Sequence, residues 1–247
     1  MMSKNISRLV AAAVLILAGH AHAMTVVVTG TNFDLKYDDT KLGLFGSPSF
    51  VGNQIFFTPN MFTASSTNTT GLVNTNSTIN GLELISKNGF IFNSISLAEF
   101  GDYQLSGAGS KVSVSGQLRA FDANNAMATQ TSSNLVVSET TPLNLNDGTN
   151  HNWMAQASIS NATPGSFLSS KPNDIFIAVE NILTATSSVM GGQAFIEKKF
   201  AGGSGSVVVT INEVTAPVPE PSTWLLMLAG LGVVGALGAR NKRAAQA

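Results

Sequence analysis

The chain has 247 residues, no cysteine, and 13 basic against 14 acidic side chains, so its formal net charge is −1. The lack of cysteine excludes disulfide bonds, thiolate metal sites and a cysteine nucleophile. Between residues 24 and 218, eight Lys and Arg side chains stand against thirteen Asp and Glu side chains. An acidic domain without basic clusters argues against nucleic acid or anionic lipid as a partner.

Residues 1–23 have the layout of a signal peptide. Lys4 and Arg8 precede an apolar run at 9–18, and Ala21 and Ala23 form a small-residue cleavage box. The apolar run is shorter than the ~20 residues that span a bilayer. We therefore expect an N-terminal signal helix that the Sec machinery and signal peptidase process, with the cut after Ala23.

Residues 24–217 are predicted to form one exported all-β domain. Segments such as 32–37 and 111–121 alternate apolar and polar residues, which places alternate side chains on opposite faces of a sheet. Further strands are expected at 26–28, 54–58, 82–85, 90–97, 104–105, 134–138, 153–159, 174–179, 193–200 and 206–214. The pattern predicts an antiparallel β-sandwich, either jelly-roll-like or immunoglobulin-like.

Several segments carry more local expectations. Residues 59–80 are rich in Ser, Thr and Asn, which predicts a long exposed loop or a polar edge strand. Asn88-Gly89 predicts a hairpin turn between the strands on either side. Residues 94–100 have the pattern of one helical turn, and residues 180–185 either extend a strand or begin a short helix. Gly116 interrupts a row of inward-facing residues and indicates a bulge or a close approach.

Residues suited to catalysis are scarce in this domain. His151 is the only histidine after residue 23, and its polar neighbours predict a solvated loop residue rather than the base of a triad. A glycoside hydrolase needs only two carboxylates, but sequence spacing places no pair at the required separation. The carboxylates available for that role are Glu83, Glu99, Asp102 and Asp122. We predict a non-catalytic domain without a cofactor.

Two clusters of acidic and amide side chains are candidate metal sites. They comprise Asp34, Asp38 and Asp39, and then Asn144, Asn146 and Asp147. Neither cluster has the alternating acidic residues and following glycine of a calcium-binding loop. Both are therefore predicted to be Asx-type turns, and no metal site is expected.

Glycan binding has no visible aromatic platform. Trp153 alternates in phase with Ala155, Ala157 and Ile159, which predicts a core position. Sequons for N-glycosylation occur at Asn68, Asn76 and Asn161, as expected by chance in so Asn- and Thr-rich a chain.

The C-terminal segment, residues 218–247, has three parts in a fixed order. Pro219, Glu220 and Pro221 are followed by an uncharged run at 224–239, and then by the basic residues Arg240, Lys242 and Arg243. A helix over 224–239 would be about 24 Å long at ~1.5 Å per residue, near the thickness of a hydrocarbon core. We predict a transmembrane helix with a cytoplasmic basic stop, because basic residues remain on the cytoplasmic side.

This order of motif, apolar span and basic tail resembles the PEP-CTERM sorting segment of Gram-negative bacteria. The resemblance covers the C-terminal ~30 residues, together with the signal peptide. It implies recognition of Pro219, Glu220 and Pro221 by an exosortase, a membrane-embedded cysteine transpeptidase. Such an enzyme would cut near the motif and release or re-attach the protein at the surface. The resemblance also implies an association with exopolysaccharide and biofilm.

The sequence therefore predicts a non-catalytic exported protein of the cell surface or extracellular matrix. Its expected partners are the Sec machinery, signal peptidase, an exosortase and exopolysaccharide, with an inner-membrane intermediate before processing. A carbohydrate-binding or adhesive module is the first alternative. A carboxylate-based glycoside hydrolase is the second.

Overall fold

The computed structural model describes residues 24–87, 89–125, 130–199 and 206–216. These residues form fourteen β-strands and three short 3₁₀ turns, without an α-helix, so the all-β prediction is confirmed. Among them, no helix is long and apolar enough to cross a membrane. The predicted signal helix with Ala21 and Ala23, the span at 224–239 and the C-terminal sorting residues lie outside the described residues.

The strands follow one another along the whole described chain. Their bounds are β1 Thr25–Thr29, β2 Phe33–Asp38, β3 Pro48–Val51, β4 Gln54–Phe57, β5 Thr63–Thr67, β6 Gly71–Ser86, β7 Phe90–Ser106, β8 Lys111–Asp122, β9 Thr131–Asn134, β10 Val136–Val137, β11 Asn150–Ser160, β12 Asp174–Ser187, β13 Gln193–Lys198 and β14 Val207–Thr215. The 3₁₀ turns are Asp39–Lys41, Gly43–Phe45 and Phe167–Ser170.

The strands form two antiparallel sheets. The six-stranded sheet has the order β1-β2-β6-β12-β8-β9, and the eight-stranded sheet has the order β10-β11-β7-β14-β4-β3 with β13 joining β7 to β5. Inward-facing residues of both sheets belong to one hydrophobic core, as in a β-sandwich. The described strands outnumber those of an immunoglobulin domain and of a simple jelly roll, which have about seven to nine.

Strand β7 lies inside the eight-stranded sheet and has paired strands along both of its edges. It is 17 residues long and pairs with β11 along one edge. Along its other edge it pairs first with β14 and then with β13. The last six residues of β7, 101–106, therefore lie beside β13.

The predicted exposed loop at 59–80 is wrong, because most of this segment is strand. Residues of β6 pair with β12 throughout, whereas β2 pairs only with residues 83–86. Residues 71–80 therefore have a single paired neighbour among the described strands, which agrees with the alternative of a polar edge strand. Thr and Ser tolerate this half-exposed position, since their hydroxyls reach water or backbone groups, as Thr75 does to Thr63 O at 2.5 Å.

The predicted hairpin around Asn88-Gly89 is also wrong. The chain does turn tightly, with Phe90 N donating to Lys87 O at 3.1 Å and Gly89 at a φ of +88°. However, β6 belongs to the six-stranded sheet and β7 to the eight-stranded sheet. The Asn-Gly pair predicted the tight turn correctly, but it did not predict that β6 and β7 stay unpaired with each other. Strand pairing depends on which faces become buried together. Asn88 itself lies outside the described residues.

Two strands run further than their patterns indicated. The helical turn expected at 94–100 is wrong, because this stretch is the middle of β7. Residues 180–185 extend β12, which was one of the two alternatives. The close approach expected at Gly116 is confirmed, since a Cβ there would lie 2.1 Å from Glu180 O.

Candidate functional site

Three polar side chains meet inside the hydrophobic core, and we call them the buried polar cluster: Glu99, Asn181 and Lys198. Glu99 lies on β7 and Lys198 on β13, both in the eight-stranded sheet, whereas Asn181 lies on β12 of the six-stranded sheet. The side chains of Glu99 and Lys198 have no exposed surface, and Asn181 is also fully buried. The cluster therefore spans the space between the two sheets.

One carboxylate oxygen holds the buried polar cluster together. Glu99 Oε2 accepts hydrogen bonds from Lys198 Nζ and from Asn181 Nδ2. The other oxygens, Glu99 Oε1 and Asn181 Oδ1, are buried and have no hydrogen-bond partner in the described part of the chain. Burying an acceptor without a hydrogen bond costs folding free energy, so the two unpaired oxygens destabilise the domain.

Aromatic rings enclose the amino group of Lys198. Its Nζ lies 5.2 Å from the ring centroid of Phe62, 5.6 Å from that of Trp153 and 5.9 Å from that of Phe45. The Trp153 ring is fixed by its Nε1, which donates to Glu197 O at 3.1 Å. These rings keep water from the amine, and their faces lie within the range of a cation–π contact.

Burial controls the protonation of this pair. It raises the pKa of the Glu99 carboxyl, although the nearby Lys198 opposes the shift. It lowers the pKa of the Lys198 amine, although Glu99 opposes that shift. Both directions favour the neutral pair of carboxylic acid and amine, because each charged form has lost its water. A neutral amine is a nucleophile, and a neutral carboxylic acid is a proton donor.

Of these three residues, the sequence predicts a role only for Glu99, as a hydrolase carboxylate, and none for Asn181 or Lys198. The signal that could have found them is the alternation of inward and outward side chains along each strand. Glu99 is in phase with the buried Leu97, and Lys198 is in phase with the buried Ile196. Inward positions of three strands therefore carried polar residues, but only the fold shows that they meet.

The other candidate carboxylates occupy separate places. Asp102 is on the opposite face of β7 from the cluster and contacts Lys199 at 2.7 Å. Glu83 and Asp122 both lie near Asp174 in the six-stranded sheet. The pKa of Asp174 is raised by burial and then by the negative charges of Glu83 and Asp122. The structure thus distributes the four candidates over three regions.

His151 is the second residue of strand β11 and is half-buried, whereas a solvated loop histidine was predicted. Its Nε2 contacts Asp147 Oδ1 at 2.9 Å and Thr149 Oγ1 at 3.1 Å. In a catalytic triad the carboxylate and the hydroxyl contact different ring nitrogens. Here both contact the same nitrogen, so the geometry is that of a stabilised turn.

The acidic turns satisfy backbone groups. Asp38 accepts from Thr40 N at 2.9 Å, and Asp147 accepts from Thr149 N at 2.9 Å, which confirms Asx-type turns at these two positions. Asp34 instead contacts Lys87 Nζ at 3.3 Å. In the described ranges, no group of three or more His, Asp or Glu side chains is placed to hold a metal ion. Trp153 is 1% exposed, so its predicted core position is confirmed.

The fold and the C-terminal segment define an all-β protein with a sorting signal at its C-terminus. Residues 217–243 match the PEP-CTERM protein-sorting motif. The chain thus carries a PEP-CTERM sorting segment, as its resemblance indicated, and this signal makes it an exported, exosortase-sorted protein. The match contains Pro219, Glu220 and Pro221 as well as the basic residues Arg240, Lys242 and Arg243. A comparison with curated proteins finds no match to the chain.

Proposed function

We propose that this protein is a non-catalytic component of the cell surface or extracellular matrix, associated with exopolysaccharide and biofilm. The sorting motif at 217–243 is the observation that carries the proposal. Sec export and cleavage after Ala23 would deliver the β-domain across the inner membrane. The exosortase would then act at the Pro219-Glu220-Pro221 motif, while the span at 224–239 holds the intermediate in that membrane.

The composition of the domain supports a structural role outside the cell. Its strands expose Ser, Thr and Asn rather than charges, and thirteen acidic side chains outnumber eight basic ones between residues 24 and 218. An acidic surface keeps copies of the domain apart and soluble. Its stability comes from one continuous core instead of disulfide bonds, because the chain has no cysteine.

The test is to follow processing in the native host with Glu220→Ala in the sorting motif. We expect the variant to remain in the inner membrane with its tail attached, because the exosortase no longer recognises it. Glu139→Ala is the matched control, since Glu139 is an exposed residue of the domain. Mass spectrometry of the mature protein gives both cleavage sites, and cell fractionation gives its location.

Deleting the exosortase should reproduce the effect of Glu220→Ala. Unchanged mass and unchanged surface display in the deletion strain would overturn the sorting step. Normal sorting without any loss of matrix or biofilm on removal of the protein would instead count against the structural role. The first outcome tests sorting by the exosortase, and the second tests the structural role of the domain.

A carbohydrate-binding or adhesive module is the second candidate. A groove where β9 and β10 approach β7 and β11 supports it, because hydroxyl and amide groups of this kind bind sugar hydroxyls. Its polar lining consists of Ser96, Ser133, Asn134, Gln156 and Ser158. Retention of the protein on the host's exopolysaccharide should fall with Asn134→Ala and Gln156→Ala. Asn173→Ala, at another exposed site, is the control, and equal retention of all variants would exclude this groove.

A glycoside hydrolase remains the third candidate. Glu83 and Asp122, which lie near Asp174, are the carboxylates to test, because the raised pKa of Asp174 suits a proton donor. Release of sugar from the exopolysaccharide that disappears with Glu83→Gln or Asp122→Asn would establish hydrolysis. No release by the intact protein would support the non-catalytic proposal.

A further inference from the structure

The buried polar cluster brings together the three groups that amide transfer requires. Lys198 supplies a primary amine, Asn181 a carboxamide and Glu99 a carboxyl that contacts both nitrogens. Because both nitrogens donate to the same oxygen, Glu99 Oε2, they lie within about 6 Å of each other. The amine and the carboxamide that it would attack therefore share one hydrogen-bond partner.

We propose that Lys198 and Asn181 become joined by an intramolecular isopeptide bond after the domain folds, with Glu99 as the proton carrier. This inference rests on the core geometry and is independent of the proposed function. It assigns a self-modification site, because the cluster reacts once with itself and turns over no substrate.

Glu99 first takes a proton from the Lys198 ammonium, which leaves a neutral amine and a carboxylic acid. The amine lone pair then attacks Asn181 Cγ and forms the new carbon–nitrogen bond. As the Cγ–Nδ2 bond breaks, Glu99 gives its proton to the leaving nitrogen and takes one from the attacking nitrogen. The products are a secondary amide, one molecule of ammonia and a neutral Glu99, without any oxidant or cofactor.

The surroundings favour each of these steps. The rings of Phe45, Phe62 and Trp153 keep water from the amine, so the uncharged and nucleophilic form is favoured. The directions in which burial shifts the pKa values of Glu99 and Lys198 agree with the first proton transfer. The fixed arrangement of both reactants on packed strands replaces a bimolecular encounter.

Two oxygens of the cluster, Glu99 Oε1 and Asn181 Oδ1, have no hydrogen-bond partner in the described part of the chain. An ionised Glu99 only accepts hydrogen bonds, and Asn181 Oδ1 only accepts them, so neither supplies the other with a donor. A proton on Glu99 turns its carboxyl into a donor. In the neutral state, which the reaction both uses and leaves behind, the carboxyl therefore carries a donor that the ionised form lacks.

The bond would connect the two sheets covalently. Asn181 lies on β12 of the six-stranded sheet and Lys198 on β13 of the eight-stranded sheet. In a chain without cysteine, no disulfide bond can supply such a link. An amide is not reduced by thiols, so it would resist conditions in which a disulfide fails.

The test uses the full chain and cleavage at methionine with cyanogen bromide. Cleavage after Met154, Met190 and Met227 places Asn181 and Lys198 in the separate fragments 155–190 and 191–227. We expect these fragments to remain joined, with a mass about 17 Da below their sum, since one ammonia molecule is lost. Tandem mass spectrometry then locates the branch at Lys198.

The variants assign the role of each group. Lys198→Leu and Asn181→Ala should yield only separate fragments, and Glu99→Gln should greatly reduce joining, because it removes the proton carrier. Lys199→Leu is the matched control, since Lys199 is the exposed neighbour and should leave joining complete. Separate fragments from the folded, intact protein would overturn the proposal, whether or not any variant folds. Joining that persists in Lys198→Leu would overturn the assignment of this lysine.

Discussion

The carboxyl of Glu99 and the amino group of Lys198 contact each other with no exposed surface on either side chain. They come from neighbouring strands of one sheet, and Asn181 reaches them from the other sheet. As charged groups the two would lose their hydration in such a place, and their mutual attraction would offset only part of that cost, which is why burial favours the neutral pair. The pair is therefore expected to be a sensitive point of the fold.

Replacing Lys198 alone should destabilise the domain strongly. Lys198→Leu leaves Glu99 buried without its partner, and removing one member of a buried pair costs about 3–5 kcal/mol. The double variant Glu99→Leu/Lys198→Leu removes both groups and should be more stable than Lys198→Leu. Urea unfolding of the three proteins measures the difference. A double variant less stable than the single variant would contradict this account.

Gly101 should not tolerate a side chain. A Cβ at this position would lie 1.9 Å from Glu197 O and 2.5 Å from Trp153 Nε1, both of which are held in the core. Gly101→Ala should therefore lower the free energy of unfolding by about 3 kcal/mol or more. Gly81→Ala is the control, because its Cβ meets nothing within 4 Å and only its φ of +78° opposes substitution. That variant should lose about 1–2 kcal/mol, and equal losses in the two variants would rule out the steric explanation.

The hydroxyl of Tyr103 makes two hydrogen bonds with the loop before β11. Tyr103 Oη donates to Pro142 O at 2.6 Å and accepts from Leu145 N at 3.2 Å. Tyr103→Phe leaves both backbone groups without this partner and should cost about 1–3 kcal/mol. Hydrogen exchange at the Leu145 amide should accelerate at the same time. Tyr37→Phe, whose hydroxyl has no hydrogen bond among the described residues, should change neither quantity appreciably.

Asp147 should titrate at unusually low pH. Its pKa is lowered from 3.8 to about 2, first by the hydrogen bond with His151 and then by those with Thr149. Because the folded pKa is the lower one, the stabilising contribution of Asp147 is present above pH 3.8 and is lost as pH falls toward 2. Carbon NMR of the Asp147 carboxyl should show this midpoint, and His151→Ala should raise it. A midpoint of 3.8 in the unaltered protein would contradict the contact.

The amino-acid sequence by itself determined the fold class and the sorting signal of this protein. Alternation in segments such as 111–121 indicates strands, because side chains on a strand alternate between its two faces. The sorting motif can also be recognised in the sequence, because it consists of consecutive residues at 217–243 that a processing enzyme recognises as a linear segment. Both features depend on near neighbours in the chain.

Only the tertiary structure decided the pairing of strands and the content of the core. The turn at Lys87–Phe90 is local, yet β6 and β7 separate into different sheets because their apolar faces are buried from opposite sides. Likewise, Asn181 is 82 residues and Lys198 is 99 residues from Glu99 in the chain, so no spacing rule brings the three together. Their meeting results from the packing of two sheets, and the chemistry of the core follows from it.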